Sequence, residues 1–146
     1  MKIEDEIKQA HFDAPTHKAG MNLIFTANWL LNEITVALKP IDLSLQQLNV
    51  LRILKGQPKH TANVNIIRER LVDRMPNVSR LLNKLAEKQL VTKVRNPADQ
   101  RVVYIKLTGK GEQAAEKGRE IFKNFQYSID NEQAEQLNEI LEQLRK

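Results

Sequence analysis

The sequence predicts a mainly α-helical fold carrying one small antiparallel β-hairpin, and three features of it lead there. Apolar residues keep helical spacing over residues 21–38, 48–54 and 78–85. The stretch "NPADQRVVYIKLTGKG", residues 96–111, breaks that rhythm with a Pro-containing turn and a run of alternating side chains. From Thr108 onward, helical spacing returns. A chain of 146 residues is long enough for a single domain, 1–146, with its own core.

In the first helix Leu23, Ile24, Ala27, Leu30, Leu31, Ile34 and Leu38 form one stripe. Phe25, Trp29 and Val36 lie off it, so the helix is apolar on more than one face. A helix of that kind is buried by something, and in a short chain a second copy is a natural candidate. Trp29 and Phe25 are accordingly assigned to packing between subunits. Pro40 ends the helix. Ser44 caps the next one, with Gln47 at the capping-box position, and Gly56 stops it. Residues 57–62 read as a polar loop. A short helix follows, with Val64, Ile67 and Leu71 facing inward.

In "DRMPNVSRLLNKLAEKQL", residues 73–90, Val78, Leu81, Leu82 and Leu85 make a narrow apolar stripe. At about 100° per residue, Pro76, Arg80, Asn83 and Glu87 point the opposite way, flanked by Ser79 and Lys84. Asp73 is the expected cap, while Pro76 disfavours helical geometry at Met75. Residues 91–95 and 101–107 are expected as two strands, joined by the turn Asn96-Pro97-Ala98-Asp99. Val103, Ile105 and Leu107 share one face of the second strand; Val102, Tyr104 and Lys106 share the other. Thr108 caps a long helix bearing Ile121, Phe122 and Phe125. Asp130 caps a last one bearing Leu137, Ile140, Leu141 and Leu144.

The formal net charge of +5 conceals a segregation. Residues 52–110 hold 14 Lys and Arg against 4 Asp and Glu, a net of +10, and the remainder holds 9 against 14, a net of −5. A basic middle between acidic-leaning ends points to a polyanion that meets the middle alone. The absence of cysteine excludes disulfides, thiolate metal sites and thiol redox sensing, and fits a reducing cytoplasm. His11, His17 and His60 are scattered, with no ligand spacing, so neither metal nor cofactor is expected. The N-terminal "MKIEDEIKQAHFDAP" lacks a signal peptide's apolar core. Asn22, Asn28, Asn32 and Glu33 make residues 21–38 too polar for a membrane span. A cytoplasmic chain without membrane contact is expected. Five glycines supply no G-x-G-x-x-G, G-x-S-x-G or P-loop spacing, and nothing favours an enzyme. Tyr104 is the sole aromatic in residues 52–110, which argues against single-stranded RNA held by base stacking.

Short helix, turn, second helix and hairpin, in that order, form a winged helix-turn-helix. Its second helix fits a DNA major groove, where Asn77, Ser79, Arg80, Asn83 and Lys84 can read base edges. The hairpin lies alongside and can carry Arg101 into the neighbouring minor groove. Asp99, two residues earlier, can orient that guanidinium by a charge-assisted hydrogen bond. Thr61, Asn63, Arg74, Arg95 and Lys106 are candidates for phosphate contacts. Residues 44–107 are then the DNA-binding lobe, flanked by helical regions at residues 17–39 and 108–146.

Three segments, "SLQQLNVLRIL", "VSRLLNKLAEKQLV" and "DQRVVYIKLTGKG", resemble the MarR-type (multiple antibiotic resistance) regulators. The likeness runs from about Met21 to the C-terminus. Its most specific part is Asp99 and Arg101, followed by Leu107, Thr108 and Gly111, an Asp-x-Arg wing leading into Leu-Thr-x-x-Gly. The resemblance implies a homodimer joined through the first and last helices, bound to pseudo-palindromic double-stranded DNA with the wing arginine in the minor groove. It further implies repression by promoter occlusion and a site for a small lipophilic or phenolic effector between the dimerisation helices and each DNA-binding lobe. Two positions depart from the family pattern. Gln89 stands where glycine usually follows the recognition helix, at a cost of roughly 1 kcal/mol if the backbone there is left-handed. Pro76 stands where Ser or Thr is common.

Overall fold

The computed structural model describes residues 1–74 and 77–146. After a single turn of helix, α1 (Ile3–Glu6), the chain enters the long α2 (Pro15–Leu38). This helix begins six residues before the apolar spacing would place it, because Pro15 occupies its first turn, where no backbone donor is required. A 3-10 turn, Lys39–Ile41, follows, and Asp42 (φ 51°) reverses the chain. In α3 (Leu45–Lys55) the expected capping box is complete. Ser44 Oγ accepts from the Gln47 backbone N at 3.1 Å, and Gln47 Oε1 accepts from the Ser44 N at 3.0 Å. Gly56 ends the helix in right-handed geometry (φ −80°).

The expected polar loop at 57–62 is corrected. Pro58–His60 forms a 3-10 turn and Thr61–Asn63 is a strand, β1. The hairpin therefore belongs to a three-stranded antiparallel sheet in which β3 (Val103–Leu107) lies between β1 and β2 (Val91–Arg95). Ala62 and Lys93 both stand opposite Ile105, and Val91 stands opposite Leu107. Three residues are too few for alternation to declare a strand; β1 exists because β3 offers it an edge. The second hairpin strand also begins later than expected, so Arg101 lies in the turn rather than in β3.

The short helix α4 (Val64–Arg70) is capped by Asn63, whose Oδ1 accepts from the Ile66 N at 2.9 Å. Its successor α5 (Val78–Glu87) is capped by Asn77, not by Asp73. Asn77 Oδ1 accepts from the Arg80 N at 3.1 Å, while Asp73 Oδ2 accepts from Gln46 Nε2 at 2.7 Å. The expectations for Met75 and Pro76 fall outside the described residues. Val78, Leu81, Leu82 and Leu85 are buried, as the stripe requires, and join Leu51, Leu54, Ile67 and Ile105 in the core of this lobe.

Two long helices complete the chain. Thr108 caps α6 (Gly109–Asn124) and Asp130 caps α7 (Asn131–Leu144), the latter with a full capping box. A second apolar cluster joins α2, α3 and α6 through Ile34, Leu38 and Leu48, with Phe122 and Phe125 packed against it. The Arg52 guanidinium lies 5.6 Å over the Phe122 ring. Lys55 Nζ donates to Glu116 Oε2 at 2.8 Å, and this bond holds the Glu116 carboxyl below its ordinary range.

The joint after α5 explains the Leu-Thr-x-x-Gly motif. Gln89 does adopt the left-handed conformation (φ 61°). Thr108 Oγ1 donates to the Gln89 carbonyl at 2.7 Å and accepts from the Gly111 N at 3.0 Å. A Cβ on Gly111 would stand 2.0 Å from the Leu90 carbonyl oxygen, so only glycine lets α6 approach so closely. Away from this lobe, α2 leaves Ile24, Trp29, Leu31 and Val36 exposed, and α7 buries none of its residues, with Leu137, Ile140 and Leu144 in the open.

Candidate nucleic-acid interface

The amphipathic pattern of α5 sets the site. Its four apolar residues anchor one side to the core, so Ser79, Arg80, Asn83, Lys84 and Glu87 are exposed on the other. Asn77, Arg80 and Lys84 line a hollow of about 550 Å³ with Ser44, Gln46 and Gln47 at the start of α3 and Asp73 between α4 and α5. Ser79 faces the opposite way, into a hollow of about 230 Å³ shared with Lys93 and Arg95 of β2 and Val103 and Ile105 of β3. Asn83 is joined to the wing directly, because the Lys93 ammonium donates to its Oδ1.

The wing turn is built by its own side chains. Asn96 Oδ1 accepts from the Ala98 N at 2.9 Å, and the Asn96 N donates to the Val102 carbonyl at 3.1 Å. Asp99 Oδ1 accepts from the Arg101 N at 3.0 Å and from Arg101 Nε at 3.2 Å. The expected brace is thus present, and it leaves the Arg101 side chain 92% exposed. Arg101 shares a hollow of about 280 Å³ with Asn63 and Asn65. Arg95 Nη1 donates to the Gln100 carbonyl at 3.0 Å and so spans the base of the turn.

The other candidates are less tightly gathered. Lys106 is exposed on β3, with Thr61 opposite it on one side and Thr92 on the other. Thr61 Oγ1 donates to the Lys59 carbonyl at 2.9 Å. Arg74 is exposed in the turn before α5. Asn63 and Asn77 each spend a side-chain oxygen on a helix cap, which leaves their amide N–H groups for other partners. Lys93 was missed by sequence reasoning. Its place on a strand edge, ten residues after Asn83, signals nothing until β2 is folded against α5.

Polar residues on an exposed helix face beside a cationic hairpin tip suit a duplex, whose wide groove admits the helix. Residues 32–124, well over half the chain, match the family model of the transcriptional regulator SarA/Rot. The chain belongs to the SarA/Rot family. It is a DNA-binding transcriptional regulator of the winged-helix type. None of the curated protein sequences matches this SarA/Rot family member.

Solved structures agree on the fold, and the MarR-type resemblance is borne out there. A MarR-like regulator from Bacillus cereus shares 19% identity over 89% of this chain and 95% of its own, with a TM-score of 0.78. The organohalide-sensing regulator RdhR, in its 2,4-dichlorophenol-bound form, shares 21% over 94% of this chain and 85% of its own, with a TM-score of 0.81. The repressor CouR, bound to a 23-mer DNA duplex, shares 20% over 87% of this chain and 92% of its own, with a TM-score of 0.76. No helix among the described residues is long and apolar enough to cross a membrane.

Proposed function

We propose that this SarA/Rot family chain is a homodimeric repressor, acting in the cytoplasm on a pseudo-palindromic double-stranded operator. The observation that carries the reading is the pairing of two features in one lobe: the exposed polar face of α5 and the exposed Arg101 of the wing. Asn77, Ser79, Arg80, Asn83 and Lys84 contact base edges in the major groove. Arg101, braced by Asp99, enters the adjacent minor groove. Thr61, Asn63, Arg74, Arg95 and Lys106 meet phosphates and set the register without reading sequence. The bare apolar faces of α2 and α7 support association through residues 17–39 and 108–146. Dimerisation then places two recognition helices about 34–36 Å apart, one duplex turn. The DNA-bound state of CouR supports the duplex as partner.

A small lipophilic or phenolic effector relieves repression in this scheme, a reading supported by the 2,4-dichlorophenol bound to RdhR. Such a ligand releases DNA only by favouring a dimer whose lobes are wrongly spaced, and operator DNA must weaken the ligand by the same factor. Selection of bound fragments from random duplex DNA tests the operator reading. An inverted repeat is expected, with an affinity that falls steeply as salt rises because several phosphates are neutralised. A flat salt response with no recovered repeat contradicts it.

A further inference from the structure

Lys93 lies in the hollow between α5 and the wing, beside Ser79, Leu82 and Arg95, and its ammonium donates to Asn83 Oδ1. An ammonium has donors only, so the carboxamide oxygen is the one side-chain atom of Asn83 it can hold. Asn83 thus presents its oxygen toward the wing and its amide N–H groups away from it. On the exposed face of α5 this leaves two donors next to a positive charge.

We infer that Lys93 is a specificity-positioning residue, which biases Asn83 toward donating and so selects guanine over adenine at one base pair of each half-site. The inference rests on the operator-binding reading above. Bidentate recognition of adenine requires the amide oxygen to accept from the base N6 amino group while the amide nitrogen donates to N7. Here one lone pair of that oxygen is taken by Lys93, and an N6 amino group reaching for the other would approach an ammonium. Guanine presents acceptors at both N7 and O6, which suit two N–H groups and a neighbouring cation. A lysine that only touches phosphate lowers affinity uniformly when removed and leaves base preference unchanged, so the two roles separate cleanly.

The test is selection from random duplexes with wild type, Asn83→Ala, Lys93→Met and Lys93→Arg, each variant checked for wild-type helix content. Asn83→Ala should flatten one guanine column per half-site. Lys93→Met, which keeps the apolar stem, should move that same column toward adenine by about tenfold in preference, and Lys93→Arg should restore guanine. A Lys93→Met protein that selects the wild-type motif with uniformly reduced affinity overturns the inference and leaves operator binding standing. A wild-type protein that selects no motif overturns operator binding and this inference together.

Discussion

A single oxygen of Asp99 accepts both the backbone N–H and the Nε–H of Arg101, at 3.0 and 3.2 Å, while the arginine side chain stays 92% exposed. An ion pair this open adds little to stability. Its effect is to hold the guanidinium in one direction before any ligand arrives, which lowers the ordering cost of binding. Asp99→Ala should therefore weaken operator binding by about 0.5–1.5 kcal/mol per wing and leave the thermal midpoint within error. Fluorescence anisotropy with a labelled operator measures this; undiminished affinity would show that Arg101 gains nothing from its brace.

The left-handed backbone at Gln89 makes the joint after the recognition helix a site of strain. Gln89→Gly should raise unfolding free energy by about 0.5–1 kcal/mol, with DNA affinity unchanged. Urea denaturation decides it, and a lowered midpoint would place the strain elsewhere.

Two glycines near the start of α6 should behave oppositely. Gly111→Ala drives a Cβ to within 2.0 Å of a backbone carbonyl and should cost at least about 2 kcal/mol. Gly109→Ala meets nothing within 4 Å and should be neutral or stabilising by up to about 1 kcal/mol. Equal effects in calorimetry would mean the α5–α6 joint is looser than described.

Helices were the legible part of this fold, because their stripes and caps are local. Ser44 with Gln47, Thr108 and Asp130 cap where their spacing says they should. Asn77 displaced Asp73 as the cap of α5, since two plausible caps four residues apart differ only in where the turn leads. Strand β1 stayed hidden for want of length, and the start of β3 was read two residues early because alternation continues into the turn. The charge segregation of residues 52–110 is legible in the sequence itself. The grip of Lys93 on Asn83 is not, since it exists only once a strand is laid against a helix.

Trp29 is half in solvent on α2, as are Ile24, Leu31 and Val36. Trp29→Lys should leave the helical signal intact and shift the species seen by light scattering toward the 16.9 kDa monomer. A variant that associates as tightly as wild type would remove Trp29 from the subunit interface.

The most direct measurement is a binding titration of Arg101→Ala against wild type, at one salt concentration, on the operator recovered by selection. A loss of about 1–3 kcal/mol is expected, with the oligomeric state unchanged. Equal affinity for the two proteins would contradict the claim that the wing tip grips the duplex.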